Sequence, residues 1–357
     1  MQVKRHRIVW LGIVFAVATG SMTSPAADNA AKILARRLGQ AQDSLQTTLV
    51  LRDIAQLGAR GREAGEDVLP LMDDENWDTR VLAARTLGFI DYQPSVPRLV
   101  KALDEPADVR LNWVAAESLG RLHNVAANDA LQRASSQHWY PPVRRTAKEA
   151  IEHIRAASPY APRYSGLENF PLEYFAYEGW GRGEWDCGTP QPSNPARQSS
   201  PGWSLPMGRG YERQVEQGPG EKPMVVRSIP DVVLRVANGW LAGSDRGEFG
   251  GELVFLGDDE SQHLIVETDV QNVVALGGRT IAVTGLAHMM FNNGVLLEVS
   301  RRAGGPWVAS PWRRLPGAPG KSWLTTTGEL LVDVYRGGTV LVAPDGSMRV
   351  ASCPRRR

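Results

Sequence analysis

The feature that most constrains this chain is a repeat of 32 residues between positions 77 and 154. A period of this length with apolar residues at helical spacing is typical of stacked helical hairpins, each of which buries its apolar face only against its neighbours. The repeat therefore predicts an α-solenoid and leaves the activity undefined. The recurring positions are Ala83, Ala115 and Ala147; Leu87, Leu119 and Ile151; and Ile90, Leu122 and Ile154.

Helical spacing of apolar residues begins near Ala30 and continues to Ile154, which predicts about four helix pairs. Gly58 is placed to end one helix, and the polar run at 73–76 suits a turn or a helix start. In the repeated units, small alanines allow paired helices to approach closely. A glycine follows the repeated leucine in two units, at Gly88 and Gly120, and is expected to end the second helix of each.

Two segments of this region, residues 79–88 and 113–122, resemble the second helix of HEAT repeats of the short bacterial type. Residues 96–103 resemble the first helix of such a repeat, and the resemblance extends over about residues 40–156. It implies a protein-binding scaffold, although some members of the family are associated with enzymes. The first unit departs from the pattern, because its Leu-Gly pair lies 30 rather than 32 residues before the next one.

The N-terminus has the layout of a secretory signal peptide. A basic segment at residues 4–7 precedes an apolar run at 8–19 and small residues up to position 27. The run is too short to span a bilayer as a mature helix, and an uncleaved anchor is the alternative. We expect residues 1–27 to be removed, no stable membrane span afterwards, and a periplasmic or secreted protein.

Charge and cysteine content narrow the possible partners. Loss of residues 1–27 removes three basic residues and no acidic one, so the formal net charge falls from +1 to −2. A net charge of −2 does not attract nucleic acid, and the basic residues form no stripe that would bind phosphates. The two cysteines, Cys187 and Cys353, suit an oxidising compartment, and a disulfide between them is the preferred reading over two free thiols.

Residues 158–222 are rich in Pro, Gly and Ser, yet they carry ten of the 26 aromatic residues in the chain. A flexible spacer would not carry so many aromatic side chains. We interpret the segment as a connection whose first part is ordered against a neighbouring module. The predicted division of the chain is a signal peptide at 1–27, a solenoid at 28–157, this connecting segment, and a β domain at 223–353.

A second period, of about 42 residues, begins after residue 223. It aligns 249–251 with 291–293, and a shorter third copy contains Gly337 and Gly338. The Gly-Gly and Asn-Asn pairs at these places are two-residue hairpin signals. Four short strands per unit are typical of a β-propeller blade, so the fold class is multidomain α + β with a propeller-like C-terminal domain of about three four-stranded units.

Three blades are too few to close a propeller. Three arrangements remain open: the segment before residue 223 adds strands, the sheets form an open stack or sandwich, or a second chain completes the ring. An oligomer is therefore one expectation for the β domain.

The hairpins between the second and third strands of the units should lie at one edge of the β domain. A mixed set of acid, Arg, His and Tyr side chains could bind a polar ligand or support acid-base chemistry there, although hairpin ends are also charged simply because they are solvated. No metal site and no cofactor is expected, and Gly-x-Ser-x-Gly, His-Glu-x-x-His and Cys-x-x-Cys do not occur. The candidate ligand-binding residues are Asp245, Arg246, Glu248, His288, Tyr335 and Arg336.

Two functional hypotheses follow. The first is an exported, non-enzymatic binding or scaffold protein that holds a protein partner on the solenoid and the β-hairpin edge, for instance an inhibitor or immunity-type protein. The second is a periplasmic enzyme, or a protein that binds a polysaccharide or small ligand, with its site on the β domain. Both repeat modules are of a kind that usually presents a surface, so the sequence favours the first hypothesis.

Overall fold

We describe the protein from a computed structural model, which defines residues 25–158, 210–215, 222, 224–288, 291–301, 305–335 and 337–352. Helices occupy the first of these ranges and strands occupy most of the others, with short 3-10 helices between some of them. Within the described ranges, no helix has the length and apolar character that a membrane crossing requires. Residues 1–24, Cys187, Arg336 and Cys353 lie outside the described residues.

In the described part of the chain, eight α-helices form four successive pairs, as the repeat predicts. In the second pair the first helix is a single α-helical turn flanked by 3-10 helices at Gly58–Ala64 and Leu69–Asp73. The helices are α1 (Pro25–Gly39), α2 (Ser44–Gln56), α3 (Gly65–Val68), α4 (Trp77–Phe89), α5 (Val96–Leu103), α6 (Val109–Leu122), α7 (Asn128–Gln137) and α8 (Pro141–Ala156).

Side-chain caps fix where these helices begin. The Asn76 side chain accepts hydrogen bonds from the N–H groups of Asp78 and Thr79, and Asp108 does the same for the start of α6. Such caps satisfy N–H groups that have no partner inside the helix. Gly58 follows α2 with a φ of 55°, which confirms its predicted role as a stop.

Gly88 and Gly120 do not end their helices, contrary to expectation. Gly88 lies inside α4, and a Cβ placed on it would come within 2.6 Å of the Ser118 Oγ atom on α6. Gly120 is likewise buried inside α6, which ends at His123 with a φ of 50°. The glycine at position 88 therefore serves close packing between helices of successive pairs, where only a hydrogen atom fits.

The solenoid has one continuous apolar core, crossed by one buried group of charges. Arg85 Nη2 lies 3.2 Å from Glu117 Oε2, and Arg121 Nη2 lies 2.7 Å from Glu117 Oε1. Burial alone would raise the pKa of Glu117, but the two guanidinium groups outweigh it and hold the pKa below its usual value. Arg85 and Glu117 are one repeat apart, so this pair links the second helices of two successive units.

Fourteen described strands form three four-stranded antiparallel sheets and one two-stranded ribbon. The ribbon is β1 (Tyr211–Val215) with β2 (Met224–Ser228). Sheet 1 comprises β3 (Val232–Val236), β4 (Gly239–Ser244), β5 (Glu252–Gly257) and β6 (Gln262–Glu267); sheet 2 comprises β7 (Val270–Leu276), β8 (Arg279–His288), β9 (Phe291–Arg301) and β10 (Trp307–Leu315); sheet 3 comprises β11 (Pro319–Leu324), β12 (Leu330–Val334), β13 (Gly338–Val342) and β14 (Met348–Ser352).

The sheets pack face to face in chain order. Leu253 and Leu241 of sheet 1 pack with Ala282 of sheet 2, and the opposite face of sheet 2 packs on sheet 3 through Leu296 and Val332. Each sheet is an up-and-down meander, as the 42-residue period predicts. Among the described strands the arrangement is an open stack and not a closed ring, and the ribbon lies against the free face of sheet 1.

The predicted Asn-Asn hairpin turn is wrong. Asn292 and Asn293 lie inside β9, paired with Ala287 and Leu286, and the pairing continues to His288 and Phe291. The Gly-Gly pair at 250–251 ends a longer connection that contains a 3-10 turn, Gly247–Phe249. Glycine and asparagine were correct signals for the neighbourhood of each hairpin, but β9 continues past the polar pair because its backbone still finds ladder partners.

The solenoid and the β domain share a charged interface. Arg314 on β10 reaches the helical module, where its Nη1 atom lies 2.6 Å from Asp78 Oδ1 and its backbone N–H donates to the Ala107 carbonyl at 2.8 Å. Arg110 on α6 donates in the opposite direction, to the carbonyl of Asn292 on β9. Trp139 packs against both the helical core and the core between sheets 2 and 3. These contacts join the two modules.

Candidate binding edge of the β domain

The three connections between second and third strands lie at the same edge of the stack. Glu248 Oε2 lies 2.9 Å from His288 Nε2, which joins the first connection to the second. The Asn292 side-chain amide donates to the Tyr335 carbonyl at 3.2 Å, which joins the second to the third. Four of the candidate residues, Glu248, His288, Asp245 and Tyr335, thus lie along this hairpin edge, while Arg336 lies outside the described residues.

Arg246 turns inward from the edge and holds the ribbon on sheet 1. Its Nη1 atom donates to Glu252 Oε2 at 2.6 Å, and its Nη2 atom donates to the Tyr211 hydroxyl at 2.8 Å and also to Glu252 Oε1. A weaker contact of 3.4 Å reaches Ser228 Oγ on β2. Both strands of the ribbon are therefore tied to the β4–β5 connection through a single guanidinium group.

Titration in this network follows from burial and charge. Burial raises the pKa of Tyr211 to about 12, and its hydrogen bond to Glu252 adds to the effect. Burial opposes ionisation of Glu252 as well, but the Arg246 guanidinium outweighs it and lowers the pKa of Glu252. At neutral pH the set is a protonated phenol, a carboxylate and a guanidinium that satisfy one another, which is the behaviour of a structural anchor.

Asp245 is also engaged within the chain. It accepts hydrogen bonds from the Gln271 side chain and from the Gly247 N–H group, the latter at 3.0 Å. Nearby, Asp269 accepts from the Arg246 N–H group at 3.1 Å, and burial together with the Asp245 charge raises the pKa of Asp269. These carboxylates hold the loop between β4 and β5 in shape.

Exposed aromatic side chains flank the Glu248–His288 pair. Phe249 is 79% exposed and Tyr335 is 51% exposed, although both belong to residue types that usually bury their rings. Large exposed rings on a surface held by internal contacts are the type of residue that dominates protein–protein interfaces. Phe249 was visible in the sequence as part of the repeat, but nothing in the sequence indicated that its ring would be exposed.

A groove of about 570 Å³ opens beside this edge, between β1 of the ribbon and strands β5 and β6 of sheet 1. Its walls include Glu212 and Gln214 on one side and Leu264 and Glu267 on the other. Nothing in the sequence indicated the groove, because β1 lies in the segment between the two repeat modules and does not belong to either repeat. Among the described residues, no group of three or more His, Cys, Asp or Glu side chains is placed to hold a metal ion.

Comparison with known proteins bears on the helical module. Residues 65–152 match the family of HEAT repeats. Within the helical module, these residues are HEAT-like repeats. The match covers well under half of the chain and does not include the strands. The description of the β domain as propeller-like is therefore supported only by the arrangement of its sheets.

Among solved structures, human deoxyhypusine hydroxylase in complex with glycerol matches with 21% identity and a TM-score of 0.31. The match covers 39% of this chain and half of the hydroxylase chain. A likeness at that level does not bear on function. No curated protein matches the sequence.

Proposed function

We propose that the protein is an exported, non-enzymatic binding scaffold that holds a protein partner at the hairpin edge and on the HEAT module. The observation that carries this proposal is the pair of exposed aromatic rings, Phe249 and Tyr335, on a surface whose polar residues are held by the chain's own contacts. A rigid surface with aromatic anchors loses little entropy when a partner binds.

The HEAT-like module gives separate support to the same proposal. Repeats of this kind present extended surfaces, and here the module is fixed to the β domain through Arg314, so both can contact one partner. An inhibitor or immunity-type protein that neutralises a secreted toxin is one form that this scaffold would take. Export rests on the basic segment and apolar run at residues 4–19.

The test is affinity purification of the full-length tagged protein from the periplasm of its host. We expect one protein to co-purify in near-stoichiometric amount with the wild type and to be lost from the double variant Phe249→Ala, Tyr335→Ala. A matched control is Val308→Ala, which removes an apolar side chain that is 46% exposed on β10, at the end of sheet 2 far from the β8–β9 connection. If the double variant retains the partner and changes to the HEAT surface release it, the binding site lies on the solenoid and not on the hairpin edge. The absence of any stoichiometric partner would refute the proposal.

The enzymatic or small-ligand alternative predicts a different result. Arg246→Ala and His288→Ala would abolish turnover or ligand binding if those residues formed a reaction centre. The contacts of Arg246 with Glu252 and Tyr211 favour an anchoring role instead. The expectation that a second chain completes the β domain stays a prediction, which the mass of the purified protein in solution will test.

A further inference from the structure

We propose that the groove between β1 and β6 binds an extended, basic and apolar segment of a partner protein, which adds as a strand to the free edge of β1. The inference rests on the proposed function only in that the occupant is a protein. It names a second surface, the kind of segment that this surface fits, and the backbone groups that hold it.

The first observation is that one edge of β1 has no neighbouring strand among the strands that the structure describes. β1 pairs with β2 from Tyr211↔Ser228 to Val215↔Met224, and its other edge faces β6 across the groove. There the Gln262 side-chain amide accepts from the Glu212 N–H group at 3.1 Å and donates to the Glu212 carbonyl at 2.8 Å. A side-chain amide thus makes the two hydrogen bonds that a peptide group of an adjacent strand would make.

This geometry fixes the direction of the next backbone groups. In an antiparallel pair, every second residue of a strand points its N–H and C=O groups away from its partner. Because Glu212 points away from β2, Gln214 does so too, and its N–H and C=O groups face the groove. Unpaired groups of this kind are the template for strand addition.

The second observation is an apolar floor beside that edge. Val254 on β5 and Leu264 on β6 are directly paired and lie on the face of sheet 1 that the ribbon covers, and Leu264 remains 50% exposed. Phe249 stands at the margin of the same groove. An extended chain on the β1 edge would direct alternate side chains onto this floor, since successive side chains of a strand point to opposite faces.

The third observation is the charge of the walls, which selects the occupant. Glu212 on β1 and Glu267 on β6 are exposed carboxylates with no ion pair among the described residues. Arg213 also lines the groove, but its charge, like that of Arg246, acts on Glu252 and helps to lower the pKa of that carboxyl. A segment with Lys or Arg between its apolar residues complements these walls, and an acidic segment is repelled. Arg246 also fixes the ribbon in place before binding, which lowers the entropic cost of association.

The test uses the full-length mature protein and synthetic heptapeptides with blocked ends. The probe alternates Lys and Val; one control alternates Glu and Val, and another is the Lys-Val peptide with all of its backbone amides N-methylated. We expect the Lys-Val peptide to bind, the Glu-Val peptide to bind at least about tenfold more weakly, and N-methylation to abolish binding. Hydrogen exchange at the Gln214 amide should slow when the Lys-Val peptide is bound.

A matched pair of variants isolates the edge. Gln214→Pro removes the groove-facing N–H group but no donor to β2, so the ribbon should tolerate it; Gln214→Ala keeps the N–H group. We expect about tenfold weaker binding for the proline variant, corresponding to loss of one or two backbone hydrogen bonds, and wild-type binding for the alanine variant. Thermal unfolding and exchange protection of β2 verify that both variants are folded.

Equal peptide affinity for the wild type and Gln214→Pro would overturn the inference, as would the absence of binding by any peptide. A wild-type dimer that the proline variant converts to a monomer would overturn it too, because the occupant would then be a second copy of the chain. The proposed function is separable from these results. If the proline variant captures the same partner as the wild type, the scaffold role stands and the groove is not its site.

Discussion

The guanidinium group of Arg314 on β10 lies 3.2 Å, measured from Nε, from Oδ2 of Asp108 at the start of α6, and both side chains are only 3% exposed. This ion pair joins the two modules through residues that lie 206 positions apart in the sequence. Burial raises the pKa of Asp108 and outweighs the opposing effect of Arg314, so loss of hydration destabilises the charged form of this carboxyl group. A charged interface of this kind makes each module depend on the other.

Replacing Arg314 should therefore destabilise the whole molecule. Arg314→Ala leaves Asp108 buried without its partner, which costs about 3–5 kcal/mol in such pairs. We expect urea unfolding followed by circular dichroism to lose its single transition and to show two, one for each module. The control is Arg349→Ala, which breaks an exposed ion pair with Glu329 and should cost less than about 1 kcal/mol. Equal losses for the two variants would contradict the role of the interface.

Arg246 should matter for the ribbon more than for any ligand. Arg246→Ala removes the donors to Glu252 and Tyr211, and we expect a loss of about 2–4 kcal/mol together with faster amide exchange in β1 and β2. His288→Ala breaks an exposed contact with Glu248 and should change stability by less than about 1 kcal/mol. A stable, fully protected ribbon in the Arg246 variant would show that the anchor lies elsewhere.

Gly88→Ala tests why a glycine stands inside a helix. Alanine favours a helix over glycine by about 1 kcal/mol, but here its Cβ would meet Ser118 Oγ at 2.6 Å and Ser118 Cα at 2.8 Å. Overpacking should win, with a net loss of about 1–3 kcal/mol in urea unfolding. Gly39→Ala, where nothing lies within 4 Å of the added atom, should be neutral or stabilising. If both variants gain stability, α4 and α6 are not in close contact at Gly88.

Gly88 also shows how far the sequence reaches. Its recurrence at the repeat period predicted the helix pairs correctly, because periodic burial is a local property of each unit. The role predicted for Gly88 was wrong, because a glycine after a run of apolar residues indicates a helix end as readily as a close approach between helices. Only the position of Ser118 distinguishes these, and that is a fact about packing between units.

In the β domain, too, the sequence predicted the repeating features but not the contacts made by residues outside the repeat. Four strands per 42 residues were predictable from alternation and turn residues, and so was the common edge on which Glu248 meets His288. The anchoring role of Arg246 was not, since it depends on Tyr211 and Ser228 from outside the repeat. Contacts that bring a non-repeating strand onto a repeat leave no period in the sequence.

His138 should make the solenoid less stable in mild acid. Burial lowers its pKa to about 4, with a further contribution from Arg144 that Asp104 partly opposes. Burial keeps the ring neutral, and in this form Nδ1 accepts from the Tyr140 N–H group at 3.1 Å while Nε2 lies 3.2 Å from Asn112 Oδ1. A proton on Nδ1 would point at the Tyr140 N–H group, so the charged ring loses a hydrogen bond as well as its hydration.

The sign of the effect follows from linkage. Above pH 6.5 the ring is neutral in both states, and stability is complete; between pH 6.5 and 4 the unfolded chain takes up a proton that the folded chain does not. The free energy of unfolding should fall by about 3 kcal/mol over this window. His138→Gln cannot titrate, so its stability should be lower at pH 7 but nearly flat from pH 6.5 to 4, apart from the carboxylates that both proteins share. Urea unfolding at intervals of half a pH unit gives both curves, and parallel curves for wild type and variant would assign the acid sensitivity to another group.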